Sequence, residues 1–152
     1  WVNYWVQTLI KGNELWLGYG RAKQFRQPDG TIKTFGNIGW LTNLDTTKRH
    51  ELLPLYKRFS PEEYPRYDNY NAVDVKKTSE IPCDYDGLMG VPDAFLDKFN
   101  PEQFELIGIP FGNLGKEIGV TKNYRGRTDI AITKDGKSRC PYSRIIIKRK
   151  KT

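Results

Sequence analysis

The apolar positions of this chain follow two rhythms, one helical and one of strands. In "WVNYWVQTLIKGN" the apolar residues Val2, Trp5, Val6, Leu9 and Ile10 recur at i, i+3, i+4, i+7 and i+8, which predicts a helix with one buried face. Gly12-Asn13 supplies left-handed conformers to end it. "ELWLGYG" (14–20) follows, apolar at nearly every position, as a strand covered on both faces would be. Helix, short turn and buried strand read as the second half of a β-α-β unit. Residues 21–37 are polar and carry Pro28-Asp29-Gly30, which predicts an exposed loop or loose hairpin. Residues 38–44 form another apolar strand with a polar tip.

Beyond residue 45 the rhythm breaks. "TTKRHELLPLYKRFSPEEYPRYDNY" mixes prolines and tyrosines without a period and reads as a long ordered excursion. A short strand is expected at 72–75. Asp93 is placed as the cap of a short helix containing Phe95, Leu96 and Phe99. Asn100-Pro101-Glu102-Gln103 predicts a turn into a strand at 104–109. Gly112, Gly115, Gly119 and Gly126 make the next stretch loop-like. The chain is read as ending in a hairpin, with Asp135-Gly136 as the tight turn between alternating flanks. The fold class is α+β, partly α/β.

Composition changes this picture mainly through charge. The 152 residues carry a net +7. Residues 116–152 hold 12 Lys/Arg against 3 Asp/Glu, while residues 1–115 hold 13 against 15. The basic excess therefore lies in the last quarter, as an electrostatic footprint for a polyanion would. Its apolar and polar residues alternate, which disfavours a membrane-surface helix. No apolar run approaches the roughly 18–20 residues of a membrane span, and no signal peptide opens the chain. With Trp1 first and Met89 the only methionine, the sequence reads as part of a longer polypeptide. Cys83 and Cys140 are read as reduced thiols of a cytoplasmic protein, and with one histidine no structural zinc site is expected.

Catalytic motifs are sparse. His50 stands in "TTKRHELL" without a nucleophile motif. "GYG" at 18–20 lacks the third glycine of a dinucleotide loop, and no phosphate-binding P-loop occurs. Pro92-Asp93 and Asp135-Gly136-Lys137 imitate the two halves of a metal-dependent nuclease site, but turn formation and helix capping explain both pieces. No metal ligands are assigned. "GVTKNYRGRTD" (119–129) is more suggestive: Lys122, Arg125 and Arg127 can hold phosphates, Asn123 can pair with a base edge, and Tyr124 can stack. Lys134, Lys137 and Arg139 extend the same cationic region.

Five segments together resemble the EcoRI-type adenine-specific DNA methyltransferases. They are "LIKGNELWLGYG", "GNIGWLTNLDTTKRHE", "YDNYNAVDV", "IPCDYDGLMGVPDAFLDKFNPEQFELIG" and "CPYSRIIIKRK", in order over nearly the whole chain. The resemblance implies an enzyme that moves a methyl group from S-adenosylmethionine to the exocyclic amine of adenine in duplex DNA, with the base extruded from the stack. The family's Asn/Asp-Pro-Pro-aromatic strip and its glycine-rich cofactor loop are both missing here. "NPEQF" at 100–104 lacks the second proline and the adjacent aromatic. The chain is therefore expected to be the C-terminal portion, with no catalytic or cofactor-binding residue of its own and the N-terminal half as partner.

On that reading residues 1–50 end the catalytic sheet and residues 51–152 form a β-rich region that recognises double-stranded DNA. Asn43, Asp45, Thr46, Lys48 and Arg49, at a strand tip, are expected near the target base, because ligands gather at strand ends in α/β sheets. A monomer is expected. The alternatives are a stand-alone nucleic-acid-binding module and a metal-dependent nuclease.

Overall fold

The computed structural model describes residues 16–42 and 47–151. The helix expected at 2–10 lies outside them. Strands β1 (Trp16–Arg26) and β2 (Ile32–Thr42) pair antiparallel, with Trp16 opposite Thr42 and Arg26 opposite Ile32. The turn uses the residues the sequence marks. Gly30 adopts φ +87° and donates its N–H to the Gln27 carbonyl at 2.9 Å, while the Asp29 carboxylate accepts the Thr31 N–H at 2.9 Å. This corrects the reading of 14–20 as one strand of a parallel unit, while the loose hairpin offered for 21–37, turning at Pro28-Asp29-Gly30, is present. Polar residues 21–26 and 32–37 belong to strands because a hairpin is held by its own backbone pairing and shows no apolar period.

The excursion holds a 3-10 turn, Thr47–His50, near its start and no further helix or strand before residue 73. The body of the fold is a four-stranded sheet in the order β3 (Val73–Asp74), β4 (Leu88–Pro92), β8 (Arg144–Arg149), β5 (Phe104–Gly108). β3 runs parallel to β4, and β8 lies antiparallel to both neighbours. The expected strands at 72–75 and 104–109 are present, whereas β4 escaped notice because glycine interrupts its apolar run.

Three further corrections concern local structure. Asp93 is the first residue of a 3-10 helix, Asp93–Lys98, rather than the residue before it, and Pro92 takes the cap position. The glycine-rich stretch contains a short helix, α1 (Gly112–Glu117). Last, the tight hairpin is confined to β6 (Ile132–Lys134) and β7 (Lys137–Arg139). Asp135 and Gly136 form its turn at φ 52° and 73°. The chain then continues into β8 and the middle of the sheet. The apolar run Ile145-Ile146-Ile147 belongs to a strand covered by a side-chain cluster on each face, and this is why all three residues are buried. The secondary structure is mixed α+β, mostly sheet.

The sheet's two faces follow from the two-residue period of a strand. Val73, Val75, Met89, Val91, Ile145 and Ile147 pack with Phe95, Phe104, Ile81 and Tyr64 on one face. Phe95 meets Phe104 edge-on with centroids 5.1 Å apart. Ile146 points the other way, into a cluster with Tyr67, Ala72, Val120, Ile130 and Ile132. Asp74 sits between Val73 and Val75 in sequence and so shares the second face. There its buried carboxylate accepts the Tyr67 hydroxyl at 2.6 Å and the Arg144 Nε at 2.9 Å. A Cβ at Gly90, which pairs with Asp74, would overlap the Tyr67 hydroxyl.

Removing the charge of Asp74 leaves a mostly buried guanidinium without its partner. Asp74→Asn should cost about 3 kcal/mol, the lower end for a broken buried pair, read as a urea midpoint. Burial first, then the Asp74 carboxylate, pushes the Tyr67 phenol well above its ordinary value. A raised folded value means stability that is intact below the unfolded tyrosine's pKa of about 10 and lost as pH climbs beyond it. The melting temperature should therefore hold to about pH 10 and then fall, and Tyr67→Phe should fall less steeply over that range.

Candidate nucleic-acid interface

The second face of the sheet carries the basic segment, and two asparagines hold that segment in shape. Asn69 lies in the irregular excursion. Its Nδ2 donates to the carbonyls of Thr121 and Asp129, both at 2.8 Å, and its Oδ1 accepts the Ala131 N–H at 2.9 Å. Asn69 thereby ties both ends of the 119–129 loop to one side chain. Val120 and Ile130, buried at those two ends, seat the loop against the sheet.

Asn123 organises the loop from within. Its Oδ1 accepts the N–H groups of Arg125 at 2.9 Å and Arg127 at 3.1 Å, and its own N–H donates to the Arg127 carbonyl at 2.7 Å. Gly126 makes the turn possible at φ +75°. These bonds are the Asx-turn chemistry that asparagine offers the backbone. Asn123 Nδ2 reaches the Asp129 carbonyl at 3.2 Å and Cys140 Sγ at 3.5 Å, so the loop abuts the end of the β6–β7 hairpin. Cys140 and Cys83 are free thiols.

Onto this mount the sequence places Lys122, Arg125 and Arg127, all exposed. Lys134, Lys137 and Arg139 are exposed on the hairpin. Among the described residues none of these six cations has a carboxylate within 4.0 Å. Of the other cations of the basic quarter, Lys116, Lys148 and Lys150 likewise have no carboxylate within 4.0 Å among the described residues, and three are committed. Arg144 is bound to Asp74, while Arg149 and Lys151 reach Asp86 at 2.7 and 3.4 Å. Tyr124 is 54% exposed, with the Arg125 guanidinium 5.2 Å from its ring centroid. The cation–π contact covers part of the ring and orients it.

The sequence-derived residues near the target base divide differently. Asn43, Asp45 and Thr46 lie outside the described residues. The backbone of Lys48 and Arg49 forms part of the 3-10 turn Thr47–His50. Asp135, half of the nuclease-like pair, sits exposed at the hairpin turn, and among the described residues no three His, Cys, Asp or Glu side chains group as metal ligands. No helix of the described residues is long and apolar enough to cross a membrane.

A methyl-donor nucleotide needs a strand that turns through glycine into open helical amides. Among the described residues the nearest approach is β5 into α1, through Gly108, Gly112 and Gly115. There the Gly112 N–H already donates to the Asp129 carboxylate at 2.6 Å, and a Cβ on Gly115 would strike the Thr128 and Pro110 backbone. These residues do not fit S-adenosylmethionine, and no step is assigned to them.

Asn69 and Asp129 were absent from the sequence reading. "YDNYN" marks Asn69 as a turn residue, but its partners lie 52–62 positions away and only the fold brings them near.

Residues 4–150 match the family described as adenine-specific methyltransferase EcoRI, and the chain belongs to it. Among curated proteins it is 39% identical to the type II methyltransferase M.EcoRI of Escherichia coli over 96% of this chain and 46% of that protein. It is 36% identical to the type II methyltransferase M.MpnI of Mycoplasma pneumoniae, over 95% of this chain and 52% of that protein. The chain thus spans about half the length of the curated relatives it matches. No solved structure matches it.

If Asn69 sets the loop, Asn69→Ala should cost about 1–3 kcal/mol by leaving backbone groups unpaired. Hydrogen exchange at the Ala131 amide should accelerate beyond what the global change explains.

Proposed function

We propose that the full-length protein is an S-adenosylmethionine-dependent DNA adenine-N6 methyltransferase of a restriction–modification system, and that this chain is its C-terminal, DNA-gripping part. The observation that supports the reading is a set of six exposed cations with no carboxylate partner among the described residues, three on the hydrogen-bonded loop and three on the β6–β7 hairpin, in a member of this family. Lys122, Arg125 and Arg127 bind phosphates and release condensed counterions. The β6–β7 ribbon is narrow enough for the major groove, which admits a two-stranded ribbon, and brings Lys134, Lys137 and Arg139 to its edges. Asn123 contributes by shaping the loop, since both ends of its amide are engaged. Tyr124, oriented by Arg125, offers a stacking face.

In this reading residues 1–50 complete the catalytic sheet and residues 51–152 recognise the duplex. Asn43, Asp45, Lys48 and Arg49, beyond the end of β2, approach the target adenine. The methyl donor and the transfer chemistry belong to the N-terminal half, and the chain alone transfers no methyl group. The protein works as a cytoplasmic monomer.

Two measurements test this. Duplex binding by the chain, followed by fluorescence anisotropy over a salt series, should weaken steeply with salt. Arg125→Ala with Arg127→Ala should flatten the log–log slope by about 2, close to 0.9 per lost phosphate contact. An unchanged slope would place the grip elsewhere. The full-length protein should label adenine N6 in duplex DNA; labelled donor that never reaches adenine would refute the enzymatic reading.

A further inference from the structure

The connection between β7 and β8, residues 140–143, presents an aromatic ring that no part of the fold uses. Tyr142 is 88% exposed, more than Tyr56 at 83% or Tyr124 at 54%. Yet its backbone is held firmly. Pro141 fixes the preceding φ, and Ser143 adopts φ 42°, in the left-handed region that non-glycine residues seldom occupy. The Tyr142 carbonyl accepts the Arg144 Nη1 at 2.6 Å, and the same guanidinium donates through Nε to the buried Asp74 carboxylate at 2.9 Å. An exposed ring thus stands on a pedestal anchored in the core.

Its surroundings distinguish it from the other exposed tyrosines. Cys140, two residues before it, touches Asn123, the residue that shapes the cationic loop. Arg139 on its N-terminal side is one of the six unpaired cations. Tyr56, by contrast, precedes Lys57, which is committed to Glu63 at 3.5 Å, on a segment that also bears Glu51 and Glu62. Tyr124 already has a guanidinium over its ring.

An uncovered aromatic face, on a backbone anchored next to the cationic region, suits one ligand: a nucleobase displaced from its stack. Every base offers a π-face, and an anchored backbone leaves only the ring's own torsions to be fixed on contact. We propose that Tyr142 is the base-stacking residue of this interface, taking an unpaired base next to the backbone that the cations hold. The inference rests on the duplex-binding reading above and adds to it a positioning residue.

The test uses the whole chain and two duplexes of one sequence. One is fully paired; the other carries the fluorescent adenine analogue 2-aminopurine opposite an abasic site. The wild-type chain should bind the second about tenfold more tightly, the scale of one base–aromatic stack, and quench its emission. Tyr142→Ala should lose both the preference and the quenching, while binding the paired duplex within about twofold of wild type and keeping its salt slope. Tyr142→Phe should keep both, since the ring and not the hydroxyl does the stacking. Because the side chain is exposed, the melting temperature of either variant should match the wild type. Preference and quenching that survive in Tyr142→Ala, or that are lost equally in Tyr142→Phe, overturn the assignment while leaving duplex binding in place. A chain that binds neither duplex overturns the duplex-binding reading, and this inference with it.

Discussion

One carboxylate sets the alignment on which the rest of this fold depends. Asp74 lies on the face of β3 that meets Tyr67 and Arg144, and its Oδ1 accepts from both. The pair need not add net stability, because burying two charges costs most of what their attraction returns. Its consequence is register. A slip of β8 by one residue would turn Arg144 and Ile146 toward the Phe95–Phe104 core, and would turn Ile145 and Ile147 toward the carboxylate. The guanidinium then has no partner among apolar side chains. Only one alignment of β8 between β4 and β5 satisfies both the isoleucines and the charge. Gly90 belongs to the same constraint, since any side chain there would displace the Tyr67 hydroxyl from Asp74.

That alignment also positions the surface. Arg144 starts β8, so fixing it fixes the exit of the β6–β7 hairpin, and its second nitrogen holds the Tyr142 carbonyl. From the other direction, Tyr67 follows Arg66 and precedes Asp68 and Asn69, which accept and donate bonds to the strand at Ala131 and the loop at Thr121. Thr133 on β6 adds a hydroxyl bond to Asp68 at 2.7 Å. The buried triad and the cationic mount are thus joined by a run of only a few residues on each side. The loop itself has little apolar content; hydrogen bonds from outside it replace the core it lacks.

Legibility in the sequence followed the range of the interaction. The turns at Asp29-Gly30 and Asp135-Gly136 and the Asx turn at Asn100 depend on neighbours within four positions, and each is readable. The pairing of β3 with β4 and of β8 with both neighbours was not. Met89 opposite Ile147 is a contact across 58 positions, with no local signature. "RIIIKRK" illustrates the difficulty. Its apolar run marks a strand, which the sequence reading places in the arm of a terminal hairpin. The structure puts it at the centre of the sheet, because three successive isoleucines need cover on two faces and a two-stranded hairpin provides none. In the 119–129 loop, the exposure of Lys122, Arg125 and Arg127 is legible from charge and glycine spacing. The turn that Asn123 builds is less legible, since an asparagine in a cationic loop looks the same whether it faces outward or bonds its own backbone.

The basic quarter shows why charge counting alone cannot locate a binding surface. Its 12 Lys/Arg look equivalent in sequence, but the fold sorts them by what carboxylates come near. Arg144 meets Asp74 and is withdrawn into the core. Arg149 meets Asp86, brought from 63 positions away, and Lys151 shares that partner. These cations fasten the last strand. The loop and the hairpin present theirs on segments whose nearby acids are otherwise used: Asp129 closes the start of α1, and Asp135 occupies the tip of a turn. Among the described residues, a cation without a carboxylate partner keeps more of its field open to solvent than one tied into an ion pair. The asymmetry among these cations therefore arises from where the acidic residues are spent.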